Sequence, residues 1–108
     1  MPNVVVEYKN LLTELIQKQM VILGPEIARE TAQAVPGLIV DAAGSVTAIT
    51  GDPTLVFHDI AEGYLALSGS VTQIVLYALL EKYPAVRDQY KEPLTKIKLV
   101  CSILEHHH

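Results

Sequence analysis

The sequence has no tryptophan and only six aromatic residues among 108, so its core has to be mainly aliphatic. Cys101 is the only cysteine, which excludes an intrachain disulfide. Neither a signal peptide nor a lipidation motif is recognisable, and we therefore expect a cytoplasmic protein. A glycine-rich loop of the GxxxxGK[ST] type, which nucleotide-binding enzymes use to hold phosphates, does not occur.

Basic residues are also scarce, because eight Lys and Arg stand against twelve Asp and Glu, for a formal charge of −4. This acidity disfavours nucleic-acid binding, which requires clustered positive charge. The one basic cluster, Lys91, Lys96 and Lys98, is typical of a solvated face. We therefore predict no nucleic-acid partner.

Apolar side chains, in contrast, are abundant. Half of the residues are hydrophobic and the mean hydropathy is +0.30, which is high for a soluble monomer of this length. We predict a single globular domain over residues 1–103 and a cloning scar with affinity tag, LEHHH, over residues 104–108. The apolar surplus predicts that part of this surface is hidden between copies of the chain.

The most prominent segment is a helix predicted over residues 52–83, on which the other elements should pack. Asp52 is a suitable N-cap and Pro53 a suitable first helical residue. One apolar stripe at helical spacing predicts the core face of this helix. It consists of Val56, Ile60, Tyr64, Leu67, Val71, Ile74 and Ala78.

The same helix has no charged residue between positions 62 and 81, as a membrane span would. Polar residues such as Ser68 and Gln73 interrupt the apolar run, and we therefore predict a buried helix and no membrane partner. Gly69 and Ser70 leave a break into two helices open. The continuous stripe favours one unbroken helix.

The remaining segments predict two further helices and a hairpin. Residues 4–23 have a wide amphipathic face typical of a long helix, and Pro25 begins a shorter one. Two β-branched runs within residues 38–50 predict a β-hairpin. Residues 93–104 fit a helix or a strand, with the helix narrowly preferred. The predicted fold is mainly helical α+β: long N-terminal and central helices packed together, one hairpin between them, and a short C-terminal element.

The stretch PGLIVDAAGSVTAIT, from Pro36 to Thr50, resembles the hairpin of roadblock-type light-chain domains. Those domains run helix, two strands, helix and then three strands. After the central helix only about twenty native residues remain in this chain, too few for three strands and a closing helix. The resemblance therefore transfers no functional residue.

His58, the only histidine outside the tag, has Asp59 beside it and Glu62 one turn later. This spacing is compatible with metal binding, with Glu26 and Glu30 as a second carboxylate pair. The pattern differs from the inward Glu-x-x-His motif of carboxylate-bridged bundles, and exposed charges early in helices explain it equally well. We predict no metal and no cofactor.

Cys101 lies in an apolar run, where a free cysteine is usually a small core residue. Catalysis would require His58 as its base, and nothing in the sequence brings the two together, so we predict no catalytic residue.

The predicted function is a non-enzymatic homo-oligomeric interaction or regulatory module, a homodimer open to a further protein partner. The predicted interface on the central helix is Gly63, Leu65, Gly69, Leu76 and Leu80. The alternative is a small-molecule sensor with an apolar pocket between helices, lined by Tyr8, Tyr64, Tyr77 and Met20.

Overall fold

A computed structural model describes residues 4–89, with side-chain surroundings described as far as Arg87. The segment 93–104, for which the sequence predicts a helix or a strand, lies outside this range. Cys101 and the cluster of Lys91, Lys96 and Lys98 lie outside it as well. The elements are α1 (Val4–Leu23), α2 (Pro25–Gln33), β1 (Leu38–Val40), β2 (Val46–Ile49), α3 (Pro53–Lys82) and α4 (Pro84–Gln89). The mainly helical α+β fold with a hairpin before the central helix is confirmed.

The helix on which the other elements pack is α1, whereas the sequence pattern assigned this role to α3. Helix α1 contacts α2, α3, α4 and β2. Six of its side chains are fully buried, which explains why its apolar face is so wide. They are Tyr8, Leu11, Leu12, Leu15, Ile16 and Gln19.

The antiparallel hairpin pairs Leu38 with Ile49 and Val40 with Val46, and the register shifts between these pairs. Leu38 and Val40 face the core while Ile39 is exposed, as the alternating pattern predicts. For β2 the sequence predicts that Val46, Ala48 and Thr50 alternate with Thr47 and Ile49. This alternation does not hold, because the bulge adds one residue to that strand. Val46 is therefore buried and Ile49 also packs against the core.

Helix α3 begins as predicted, since the Asp52 carboxylate accepts a hydrogen bond from the Thr54 amide at 2.9 Å and Pro53 follows this cap. Within the helix, only Gly69 has non-helical backbone angles, φ 48° and ψ −117°. This break divides α3 into a first half, residues 53–68, and a second half, residues 70–82. The alternative of a broken helix is therefore the correct one.

The first half of α3 runs alongside α1 in the same direction. Near its start, the Thr54 hydroxyl lies 3.3 Å from the Tyr8 hydroxyl. Near its end, the Ser68 hydroxyl lies 3.2 Å from Oε1 of Gln19. Both contacts advance along the two helices together, so the pair is parallel up to the break.

The second half of α3 turns back along α1. Thr72 bonds to Gln19, but ten residues later Lys82 bonds to Glu14, which lies closer to the start of α1. The break at Gly69 therefore reverses the course of α3 relative to α1. One side of the second half, with Thr72 at its beginning, consequently faces α1.

This reversal overturns the predicted continuous core stripe of α3. Ile60 and Tyr64 are fully buried, as predicted. Leu67, Val71 and Ile74 are instead exposed by 52%, 45% and 70%. The prediction assumed one uniform helix. The non-helical residue Gly69 changes which side of the second half meets the core, which accounts for Val71 and Ile74, whereas Leu67 is exposed in the turn before the break.

Candidate interaction surface

An exposed apolar surface lies on the second half of α3 and on the turn before the break. We define the outer face of α3 as Leu67, Val71, Ile74 and Ala78, all of which are exposed. Val71, Ile74 and Ala78 recur at intervals of three and four residues, so they lie on one side of the helix. No charged residue interrupts this face. Clustered exposed apolar side chains of this kind mark interaction sites in soluble proteins.

The polarity of the second half is inverted where it begins. Thr72 and Gln73 are buried, with 0% and 6% of their surface exposed, while their neighbours Val71 and Ile74 point outward. A surface helix normally shows the opposite arrangement, with apolar residues inside and polar residues in water. The apolar side chains of this helix are therefore only partly used within the described fold.

The residues predicted to form an interface belong largely to the packing of the chain itself. Leu76 and Leu80 lie in its own core, exposed by only 2% and 3%. A Cβ atom at Gly63 would lie 3.0 Å from Cγ2 of Thr31, so this glycine permits close packing of α2. Leu65 is partly buried against the core. The exposed side of the second half is therefore the side with Val71 and Ile74, which the apolar stripe predicts to be buried.

A buried polar network supports the break at Gly69. The Gln19 amide donates to the Thr72 hydroxyl at 2.9 Å, and the Ser68 hydroxyl lies 3.2 Å from both Oε1 of Gln19 and the Tyr64 carbonyl oxygen. The two hydroxyls of Ser68 and Thr72 are also hydrogen-bonded to each other. Because these groups satisfy one another, the polar side chains at the break can be buried without a large desolvation cost.

A second polar cluster fixes the far end of α3. Lys82 Nζ lies 2.7 Å from Oε1 of Glu14, and the Tyr83 hydroxyl donates a hydrogen bond to the other carboxylate oxygen. The bonds from Lys82 and then Tyr83 lower the pKa of Glu14. Burial, together with the bond to Glu14, raises the pKa of Tyr83 to about 12. Lys82 is 60% exposed, so its ion pair contributes little to stability.

His58 contacts the two carboxylates next to it but does not join a larger group of ligands. Its Nε2 atom lies 3.1 Å from Oε1 of Glu62, without hydrogen-bond geometry, and its Nδ1 lies 3.9 Å from Asp59. Glu26 and Glu30 are exposed on α2. Across residues 4–89, no three His, Cys, Asp or Glu side chains converge on a common point.

The two tyrosines at the centre of the proposed sensor pocket are part of the core. The Tyr8 ring meets Phe57 edge to face, with centroids 6.2 Å apart, and the Tyr64 hydroxyl donates to the Ala28 carbonyl at 2.7 Å. A surface depression of about 340 Å³ lies elsewhere, between the hairpin and the start of α3. It is lined by Pro36, Gly37, Thr50, Gly51, Asp52, Leu55, Val56 and Asp59.

Among the described helices, α3 has the length and composition to cross a membrane, with 33% of its apolar window buried in the fold. The core helix of a soluble protein meets the same criteria.

Comparison with protein-family models, curated proteins and solved structures found no match for this chain. The function therefore has to be inferred from the residues themselves.

Proposed function

We propose that the chain is a non-enzymatic interaction module that forms a homodimer through the outer face of α3. The observation that carries this proposal is the exposure of Leu67, Val71 and Ile74 by 52%, 45% and 70% on an uncharged surface. A two-fold dimer covers the same patch on both chains with one contact. The sensor alternative has less support, because the hydroxyl groups of Tyr8 and Tyr64 are bonded within the chain.

The expected affinity follows from the exposed area. Complete burial of a large aliphatic side chain contributes about 1.5 to 3 kcal/mol, so covering the remaining half contributes roughly 1 kcal/mol. Three such side chains on each of two chains then contribute roughly 6 kcal/mol before the entropic cost of association. Because association costs about 4 kcal/mol or more, these side chains leave only a small net free energy, and we expect weak, reversible dimers with a dissociation constant in the millimolar range or above.

Sedimentation velocity tests this proposal over concentrations from about 50 μM to about 2 mM, where millimolar dimers begin to raise the average mass. Ile74→Glu places a charge at the centre of the outer face, and Ile39→Glu makes the same change at an exposed position of the hairpin. Wild type and Ile39→Glu should increase in average mass with concentration, whereas Ile74→Glu should remain monomeric with an unchanged circular-dichroism spectrum. A monomeric wild type, or equal association of all three proteins, would refute the proposal.

A further inference from the structure

We infer that Gly69 is a hinge through which two copies of the chain exchange the second half of α3. In the exchanged dimer α3 is one straight helix, and its second half packs on α1 of the other copy. This inference goes beyond docking of the outer faces and does not depend on it.

The backbone at Gly69 is the first support. Its angles, φ 48° and ψ −117°, lie where residues with a side chain are rarely found, and both neighbouring segments are regular helix. A Cβ atom built at this position meets nothing within 4 Å. Alanine would therefore disfavour the break through the backbone alone, without a clash, and it would favour a continuous helix.

The two apolar sides of the second half are the second support. In the described fold Leu76 and Leu80 face the core. In a straight helix Val71 and Ile74 continue the stripe of Ile60 and Tyr64, because all four residues recur at helical spacing. The sequence is thus compatible with a broken α3 and with a continuous one.

The contacts that hold the second half are the third support, because they join parts of the chain that are distant in sequence. The Gln19–Thr72 bond spans 53 residues and the Glu14–Lys82 pair spans 68. Both form equally well when the second half comes from another copy. Exchange of this kind conserves the native contacts and changes only the hinge.

The first experiment compares Gly69→Ala with Gly51→Ala by sedimentation velocity. Gly51 also has a positive φ, 83°, and a Cβ atom added there meets nothing within 4 Å, but this glycine lies in the turn before α3. Gly69→Ala should lower the dimer dissociation constant at least about tenfold relative to wild type. Gly51→Ala should lose stability with no change in mass. A monomeric Gly69→Ala, or equal dimerisation of both variants, would overturn the hinge.

The second experiment separates exchange from docking by charge reversal. Glu14→Lys and Lys82→Glu each place like charges together within a closed chain. In an exchanged dimer of one chain of each type, two attractive pairs replace the two repulsive pairs of either homodimer, so even an exposed pair that contributes little by itself shifts the distribution toward heterodimer. When both changes are made in the Gly69→Ala background and the proteins are mixed, native mass spectrometry should detect more heterodimer than the statistical half. A statistical distribution would overturn exchange and leave docking of the outer faces.

If Gly69→Ala does not fold, Glu14→Lys and Lys82→Glu still test whether the chains exchange the second half of α3. The two charge variants, with Gly69 retained, are refolded together at about 1 mM, where the first association steps are favoured. Exchange predicts an excess of heterodimer over the statistical half, because only an exchanged heterodimer pairs each reversed charge at positions 14 and 82 with an opposite one. Absence of the excess would overturn exchange, whatever the outcome for the outer face.

Discussion

Nearby positions on the second half of α3 allow a direct test of which side faces the core. Leu76 is 2% exposed and Ile74 is 70% exposed, although an unbroken helix would have placed Ile74 in the core stripe. Replacing each by alanine removes three carbon atoms from a side chain of the same composition. The difference between the two variants therefore reports burial and little else.

The expected magnitudes differ several-fold. At about 0.8 kcal/mol per buried carbon, Leu76→Ala should cost about 2.4 kcal/mol before any cavity is counted, within the range of about 2 to 5 kcal/mol for buried leucines. Ile74→Ala loses only about a third of that transfer energy, roughly 0.7 kcal/mol. The better helix propensity of alanine offsets part of this loss. We therefore expect Ile74→Ala to remain within about 0.5 kcal/mol of wild type.

Urea unfolding followed by circular dichroism provides the measurement. It is best made at low micromolar protein, so that self-association through the outer face does not add to the stability of the wild type. An unchanged m-value in both variants would show that they unfold from the same native state. If Ile74→Ala lost more stability than Leu76→Ala, the break at Gly69 would be incorrect. Helix α3 would then be continuous, with Ile74 on its core side.

Two further predictions concern the ends of α3. Asp52→Ala should lower the free energy of unfolding by about 1 kcal/mol and Asp52→Asn should be nearly neutral in the same urea assay, because either side-chain oxygen caps the Thr54 amide. The raised pKa of Tyr83, about 12, means that its contribution is complete below the ordinary tyrosine pKa of about 10 and is lost as pH rises through about 12. Tyr83→Phe should reduce the alkaline loss of stability in thermal melts without abolishing it, because burial also raises the pKa of Tyr8 and the pKa of Tyr64. An unaltered loss would contradict the burial of Tyr83 and its bond to Glu14.

The sequence correctly predicted features that depend on neighbouring residues. Residues 4–23 form α1 with the predicted bounds, Pro25 begins α2, and Asp52 caps α3. Each of these signals is local, since a cap or a proline acts on the backbone within one turn. The side of α3 that faces the core beyond Gly69 could not be predicted in this way. A periodic sequence pattern predicts which side of a helix is buried only as far as the helix remains regular.

Gln19 shows why the polar network also escaped prediction. A glutamine in an amphipathic helix is normally assigned to the solvent side, yet this one is fully buried. Its burial is tolerated because Thr72 and Ser68 supply hydrogen-bond partners from α3. Ser68 and Thr72 are 49 and 53 residues away from Gln19 along the chain, and Thr72 lies beyond the break in α3. No local pattern contains that information.

The apolar surplus of the composition lies on the outside of the second half of α3. In this segment the pattern of apolar residues and the side that faces the core disagree, and function is therefore best sought there. Thr72 and Gln73 are buried while Val71 and Ile74 face outward. Sequences that fold efficiently keep such conflicts few, and those that persist tend to mark functional sites. Docking covers the outward residues, and exchange through Gly69 joins them to the Ile60–Tyr64 stripe. Either process resolves the conflict, and charge reversal at Glu14 and Lys82 distinguishes them.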